Sequence, residues 1–510
     1  MRLVEVVSAS ADVTATSGRL EKIAHLADLI RRTPPDQLPI AIAFLTGSTR
    51  QGRVGIGGAA LRALRDVPPA DAPTLDLADV DTVFARVGTL AGSGSAGVRQ
   101  NELRDLFSRA TRDEQDFLAR VLFGELRQGA LEGVLVEAIA RASGRPSADV
   151  RQAAAYAGAL APIAVAAMSG SPLSDFVLRP QLPVSPMLAE SADSVDEAIA
   201  QLGEASFEYK FDGARIQVHK VDDDVRVYSR SLSEVTNAVP EIVEIVRAMP
   251  ARSLVLDGEA IAMRANGTPH PFQTTMRRFG RRLDVDRLRT ELPITPFFFD
   301  VLHVDGHTVV DDPLSRRVAL LGEQVSPAHR VPRLVTGDAA VAAAFAERAI
   351  AVGHEGVMAK AVGSPYTAGR RGQAWVKVKR ARTLDLVILA AEWGSGRRQG
   401  TLSNLHLGAR DPEHGGFVML GKTFKGLTDE LLAWQTKRFL ELEIGRDAYT
   451  VYVRPELVAE IAFNEIQASP RYPGGVTLRF ARVKRYRSDK TAADADTIAT
   501  VRGIYESLTR

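Results

Sequence analysis

The apolar residues of this chain change their period once, and that change restricts the fold more than any other feature. It falls at "FVLRPQLPVSPMLAE", residues 176–190, which carries prolines at 180, 183 and 186. Three residues without a backbone N–H so close together cannot continue a helix or a central strand, so the segment reads as an extended linker, with a boundary near 188. Before it the pattern is helical. Leu20, Ile23, Ala24, Ala27 and Ile30 recur at helical spacing until Pro34 and Pro35, and Thr111 with Glu114 forms a capping box ahead of Phe117, Leu118, Val121 and Leu122. After it the pattern alternates. "ARIQVHKV" and "VRVYSR" flank Asp222, Asp223 and Asp224 as a hairpin, and "SLVLDGEAIAM" and "PFFFDVLHVDG" read as further strands. From 383 onward "LDLVILAAEW", "LHLGARD", "GFVMLGKTF", "YTVYVRPELVAEIAF" and "LRFARVKRYR" are short strands around one helical segment near 428–442, which suits a small barrel. The expected architecture is therefore an all-α domain over 1–188, a mixed α/β domain over 189–382 and a β-barrel over 383–510.

A chain of 510 residues is too long for one ordinary core, which agrees with several domains. It has no cysteine, which excludes disulfides, iron–sulfur clusters and cysteine-ligated zinc. No basic start leads into an apolar run, and no stretch approaches the roughly 18 apolar residues of a membrane span, so a soluble cytoplasmic protein is expected. The net charge of +2 conceals two basic runs. "RRGQAWVKVKRAR" (370–382) has six Lys or Arg and no acid, and "RFARVKRYRSDK" (479–490) has six against one. Alternating with apolar residues, such runs present cations on one side of a strand, as a phosphate-binding groove requires.

The helical third contains a repeat. "LTGSTRQG" (45–52) and "LFGELRQG" (122–129) share Leu-x-Gly-x-x-Arg-Gln-Gly, each before a small apolar stretch. A glycine-bearing turn leading into a helix can hold phosphate on free backbone N–H groups, so two copies about a pseudo-dyad could hold both strands of a duplex. Turn punctuation is the simpler alternative for Gly47, Gly52, Gly124 and Gly129.

The α/β segment carries an ordered set: Lys210 in "EYKFDGAR", Arg230 in "YSR", Glu259 in "LDGEAIA", Phe299 in "FFFDVLHVDG", Glu355 in "HEGVMAK", and Lys377 with Lys379 in "WVKVK". In this order and spacing the elements resemble the nucleotidyltransferase motifs of ATP-dependent DNA ligases. The resemblance covers all three segments: the helical third with its paired turns is similar to that family's DNA-binding domain, and the last basic run to the final motif of its oligonucleotide-binding (OB) barrel. It implies an ATP-grasp-like nucleotidyltransferase domain in the centre, and the composition hints at a bacterial source.

The resemblance makes Lys210 the nucleophile that takes AMP from ATP. An attacking amine must be neutral, and Lys377, Lys379 and a divalent metal are expected to lower its pKa. By similarity Lys377 and Lys379 contact the α-phosphate, Arg215 and Arg230 the ribose and phosphate region, and Arg371 matches another nucleotide-binding position. Glu259 and Glu355 supply oxygens for Mg²⁺ or the ribose, with Glu259 favoured for the ribose and Glu355 for metal. Phe299 matches the residue that stacks on adenine, with Met358 opposite, and Glu208 is expected to meet the exocyclic amine. Arg485, Arg487, Asp489 and Lys490 resemble the motif that orients the pyrophosphate leaving group, a role that needs a hinge, for which "KRART" (379–383) is the candidate. Arg50, Gly52, Arg127 and Gly129 of the repeat are the expected DNA contacts.

The expected activity is ATP- and Mg²⁺-dependent sealing of 3′-hydroxyl/5′-phosphate nicks in duplex DNA through enzyme–AMP and DNA–AMP, by a monomer associated with the nucleoid. RNA ligases and capping-type enzymes share the lysine motif but not the helical domain. An NAD-dependent ligase would carry a cysteine-ligated zinc element, and a catalytically silent nucleic-acid-binding protein would not keep every expected residue. No clamp-binding peptide with paired aromatics stands out, which leaves a sliding clamp open as a partner.

Overall fold

The computed structural model describes residues 1–16, 18–52, 58–90, 92, 94–124, 126, 132–279, 285–379 and 382–509. The chain divides into two compact units, Met1–Pro186 and Met187–Arg510.

The first unit is built from helices. Those at Leu3–Ala15, Arg19–Arg32, Leu38–Leu45, Leu77–Thr89, Arg112–Phe123, Glu132–Ser143 and Leu160–Ser169 share one core. Phe44 centres it, with its ring 5.9 Å from Phe84 and 6.4 Å from Phe117. The capping box at Thr111 and Glu114 forms as the sequence predicts. In Arg19–Arg32 the buried stripe is Ile23, Leu26, Ala27, Leu29 and Ile30. Leu20, expected in that stripe, is 75% exposed.

Two expectations about this unit change. The proline-rich segment is not a free linker: Leu178 and Val184 are buried in it, and the Ser185 N–H donates to the Ala155 carbonyl at 3.0 Å. Apolar residues between the prolines give it something to bury, which a spacer lacks. The repeated glycines also sit differently. Gly47 follows Leu38–Leu45 and Gly124 caps Arg112–Phe123, with φ of 74° and 68°, so both end a helix where a left-handed residue is needed. The two turns meet: a Cβ on Gly47 would lie 3.0 Å from the Leu126 Cβ, and one on Gly124 would lie 4.0 Å from the Gly47 carbonyl oxygen.

In the second unit, β1 (Leu188–Ala192), β2 (Ala205–Tyr209), β8 (Arg333–Thr336), β9 (Gly356–Ala361) and β10 (Arg371–Lys379) form one sheet in the order β1-β10-β9-β2-β8. Only the β1–β10 pair in it is parallel. A second, antiparallel sheet has the order β4-β3-β5-β6-β7, from β3 (Ala214–Val221), β4 (Asp224–Ser229), β5 (Ser253–Ala262), β6 (Ile294–Val304) and β7 (His307–Thr308). The hairpin across Asp222–Asp224 is β3–β4. β11 (Arg382–Trp393) opens the last sheet, which also holds β12 (Leu402–Arg410), β13 (Phe417–Thr423), β14 (Glu443–Arg446), β15 (Thr450–Val453), β16 (Val458–Phe463) and β19 (Arg482–Tyr486). β17 (Glu465–Ala468) and β18 (Val476–Arg479) form a separate hairpin. The last sheet coils because β11 pairs with β12 along one edge and with both β15 and β16 along the other, and its core gathers Leu384, Leu386, Ile388, Leu405, Leu407 and Phe439. Among the described residues no helix is long and apolar enough to cross a membrane. Of the candidate hinge, residues 380 and 381 lie outside the described residues.

Candidate active site

Side chains directly opposite across a sheet share a face, and the site is two such rows. In the first sheet Arg333, Glu208, Met358 and Lys377 stand in register on β8, β2, β9 and β10, with Trp375 opposite Lys360 two residues along. In the second, Arg215 on β3 faces Glu259 on β5. A pocket of about 960 Å³ lies among them. Lys210, Glu208, Arg215, Arg230, Glu259 and Phe299 all line it, as do Glu355, Met358, Arg371, Lys377 and Lys379. Every residue predicted for nucleophile, nucleotide or metal is thus brought together.

Lys210 follows β2, and its main chain is fixed by a reciprocal pair: its N–H donates to the Gly356 carbonyl at 2.9 Å, and the Glu355 N–H donates to its carbonyl at 3.1 Å. Two glycines beside it let neighbouring strands pack close. At Gly356 (φ 141°) a Cβ would lie 2.3 Å from the Val378 carbonyl oxygen, and at Gly213 it would lie 2.4 Å from that of Ala260. The Gly213 N–H is thereby free to donate to Glu259 Oε1 at 3.1 Å. Phe211 anchors the loop between them, its ring 4.7 Å from Phe297 and 4.2 Å from the His354 ring.

The charges are unevenly matched. Glu355 pairs with Lys210 and, at 2.6 Å, with Lys379. Burial pushes the Glu355 carboxyl up, but the two ammoniums outweigh it and hold the group below its usual range. Burial likewise pushes Lys210 down, yet Glu355, with Glu259 and Asp212 behind it, raises its pKa above the ordinary lysine value. The expected lowering of Lys210 is therefore corrected: without nucleotide, the carboxylate wins and the amine stays charged. The lowering falls on its neighbours instead. Lys379 is depressed by burial and by Lys210, and Lys377 by burial and by Arg371, Lys210 and Arg230. Glu259 is pushed up to about 7, chiefly by burial, so it is partly protonated near neutral pH.

Arg215 is held by Asp257 through Nε at 3.0 Å and Nη2 at 2.7 Å, and donates to the Met187 carbonyl at 2.7 Å. Of the three adjacent phenylalanines, Phe298 is fully buried and Phe297 packs on Phe211, which leaves Phe299 to line the pocket with Met358. Glu208 is more confined than expected. Its carboxylate receives Arg333 Nε at 3.0 Å and Nη2 at 2.6 Å, and Lys360 Nζ lies 2.7 Å from its other oxygen. Lys360 Nζ also stands 4.4 Å and 4.2 Å from the Phe299 and Trp375 ring centroids.

Several participants escaped the sequence reading. Lys360 and Trp375 had a usable signal, lying two residues from Met358 and Lys377 on the same strand faces. Asn464, Arg479 and Phe480, from the last third of the chain, also line the pocket. Arg479 pairs with Asp212 and stands 3.6 Å from the Phe272 ring centroid. That pair joins residues 267 apart, and no local pattern announces it.

Other predicted residues lie elsewhere. Arg485, Arg487, Asp489 and Lys490 are not among the pocket's lining residues; they are engaged within the last sheet by Glu460, Asp385 and one another. Arg50, expected at phosphate, is bound by the buried Asp81, with Nε at 3.1 Å, and Gln51 donates to the same carboxylate at 3.0 Å. Gly52 has φ of 71°, and a Cβ there would meet no described residue within 4 Å, whereas Arg127 and Gly129 lie outside the described residues.

A cationic, partly apolar pocket with a lysine at its base suits a nucleoside triphosphate, and comparison with known proteins agrees. Residues 186–379 match the family described as "ATP dependent DNA ligase domain", residues 398–490 "ATP dependent DNA ligase C terminal region", and residues 62–140 "DNA ligase N terminus". A protein named "Probable DNA ligase" from Anaeromyxobacter sp. (strain Fw109-5) is 59% identical over 99% of this chain and 98% of its own. One of the same name from Mycolicibacterium gilvum (strain PYR-GCK) is 53% identical, covering 99% of each. The solved structure "Pmar-Lig_PreS3" shares the fold, with a TM-score of 0.62 and 18% identity over 94% of this chain and 99% of that one.

Proposed function

Because the chain belongs to the ATP-dependent DNA ligases, we propose that it seals 3′-hydroxyl/5′-phosphate nicks in duplex DNA, acting as a monomer with Lys210 as the adenylated residue. The observation that carries this reading is the convergence of Lys210, Glu355, Lys377 and Lys379 in one pocket with an aromatic wall at Phe299.

In the first step Lys210 Nζ bonds to the α-phosphorus of ATP, the bond to the bridging oxygen breaks, and its electron pair leaves with pyrophosphate. The amine must first lose the proton that Glu355 now stabilises. Lys377 and Lys379, both with depressed pKa, lack full compensation by carboxylates, since Lys379 shares Glu355 with Lys210, and their charge is directed at phosphate. Phe299 and Met358 offer the apolar slot for adenine. Glu208, paired with Arg333 and Lys360, accepts from its amine, while the partly protonated Glu259 is placed for a ribose hydroxyl. AMP then passes to the 5′-phosphate of the nick, and the 3′-hydroxyl displaces it.

The donor chemistry fits Mg²⁺: Glu355, Glu259 and Asp212 bring hard oxygens to one pocket. Among the described residues no group of three or more potential ligands forms a metal cage, so Glu355 would hold the ion together with substrate phosphates. The ion would supply neutralisation of phosphate charge, and Glu355, so engaged, would hold the Lys210 ammonium less strongly.

Incubation with ATP labelled at the α-phosphate tests the proposal. Label should attach to the wild type, be absent from Lys210→Ala, and transfer to a nicked duplex; label on another residue, or an unsealed nick, would refute it.

A further inference from the structure

The predicted leaving-group cations are stored against a matched set of carboxylates, and the strand register explains how. Asp385 on β11 faces Glu460 on β16, which faces Arg485 on β19, so all three share one surface of the coiled sheet. Arg487 follows two residues on and returns to Asp385, with Nη1 2.9 Å and 3.1 Å from its oxygens. Lys490 Nζ reaches the same carboxylate at 2.5 Å. Glu460 receives Arg485 Nε at 2.7 Å, and Asp489 takes the remaining edge of Arg487 at 2.8 Å and 2.6 Å. Three cations thus meet three carboxylates, and Asp385, itself 9% exposed, holds two of them.

We propose that the cross-strand pair Asp385 and Glu460 is an internal substitute for pyrophosphate: it recovers Arg485, Arg487 and Lys490 when the leaving group departs, and so promotes its release. The inference rests on the adenylation reading above and on the leaving-group role that the resemblance implies for Arg485, Arg487 and Lys490. Cations that grip pyrophosphate well enough to orient it would also retain it, and retained pyrophosphate can reverse the step. In that reversal a pyrophosphate oxygen attacks the phosphorus of lysyl-AMP, the P–N bond breaks, and its electron pair and a proton pass to Lys210 Nζ as ATP re-forms. A carboxylate pair that competes for the same cations weakens their grip on the departing pyrophosphate. Asp385 and Glu460 are in this sense positioning residues: they act through Arg485, Arg487 and Lys490.

The test uses the full chain loaded with labelled AMP, freed of ATP, and titrated with inorganic pyrophosphate. Asp385→Asn should release half its label at about one-tenth of the wild-type pyrophosphate concentration. Asp385→Glu, which keeps the charge, should stay within about twofold of wild type. Where Asp385→Asn proves too unstable to load, the more accessible Glu460→Gln reads the same competition on Arg485 and should lower the midpoint about twofold. A midpoint unchanged or raised in the charge-removing variant would overturn the inference while leaving the adenylation reading intact. A wild type that takes no label, or whose label pyrophosphate cannot discharge, would overturn that reading and this inference with it.

Discussion

The two basic runs, 370–382 and 479–490, look alike in sequence, yet Lys377 and Lys379 of the first and Arg485, Arg487 and Lys490 of the second behave as opposites in the fold. The first places Lys377 and Lys379 in a pocket where burial and neighbouring cations depress both. The second places Arg485, Arg487 and Lys490 on a surface where carboxylates match them. The carboxylates mirror this contrast. Glu259 in the pocket is pushed up to about 7 by burial, whereas Asp489 is held below the usual carboxylate range by its hydrogen bonds to Arg487. An excess of charge in a buried site marks where a ligand must complete the balance; a matched surface marks charge held in reserve.

The contrast can be broken or sharpened by substitution. The largest effect should come from Lys210→Ala, with attachment of labelled AMP falling by at least about a thousandfold, since no other group supplies the nucleophile. Residual labelling near wild type would remove the pocket's side of the comparison. Lys379→Ala should slow labelling about a hundredfold, the usual loss when one preorganised cation is removed from a developing charge. On the matched surface, Arg487→Ala should cost only about tenfold in labelling, because part of its charge is already spent on Asp385 and Asp489, and should spare the sealing of nicks that carry AMP beforehand. Equal losses for Lys379→Ala and Arg487→Ala would erase the distinction.

The smallest effect is a pH dependence of stability. The Glu259 carboxyl has a higher pKa folded than unfolded, so the folded state binds more proton between about 4.5 and 7. Its contribution is complete below about 4.5 and is lost as pH rises through about 7. A shift of that size corresponds to about 3 kcal/mol at most. Glu259→Gln should flatten that part of the profile, read as the change in Tm between pH 5 and 7.5. Asp489, depressed, contributes with the opposite sign and is too exposed for a comparable slope.

Much of this was legible from residue order. Alternation located the strands because side chains on a sheet repeat every second residue, and the spacing of Lys210, Glu259, Phe299, Glu355, Lys377 and Lys379 anticipated one pocket. What escaped depends on partners far along the chain. Asp385 and Glu460 are unremarkable until β11 and β16 align them, and Asp212 meets Arg479 only through tertiary folding. The direction of the Lys210 shift was missed for the same reason: sequence counts nearby cations, whereas the outcome is set by one carboxylate delivered by the β9 edge. The prolines of 176–190 suggest a free linker, whereas Leu178 and Val184 give the segment apolar surface to bury.

The reciprocal backbone pair at Lys210 and Glu355 has a consequence for how the molecule breathes. The Lys210 and Glu355 amide protons, hydrogen-bonded where the end of β2 meets the start of β9, should belong to the most slowly deuterating class, exchanging only when the sheet itself opens. The reactive lysine would then be among the stiffest points of the backbone, and its substrate would meet a surface already set in place, with little disorder to remove on arrival.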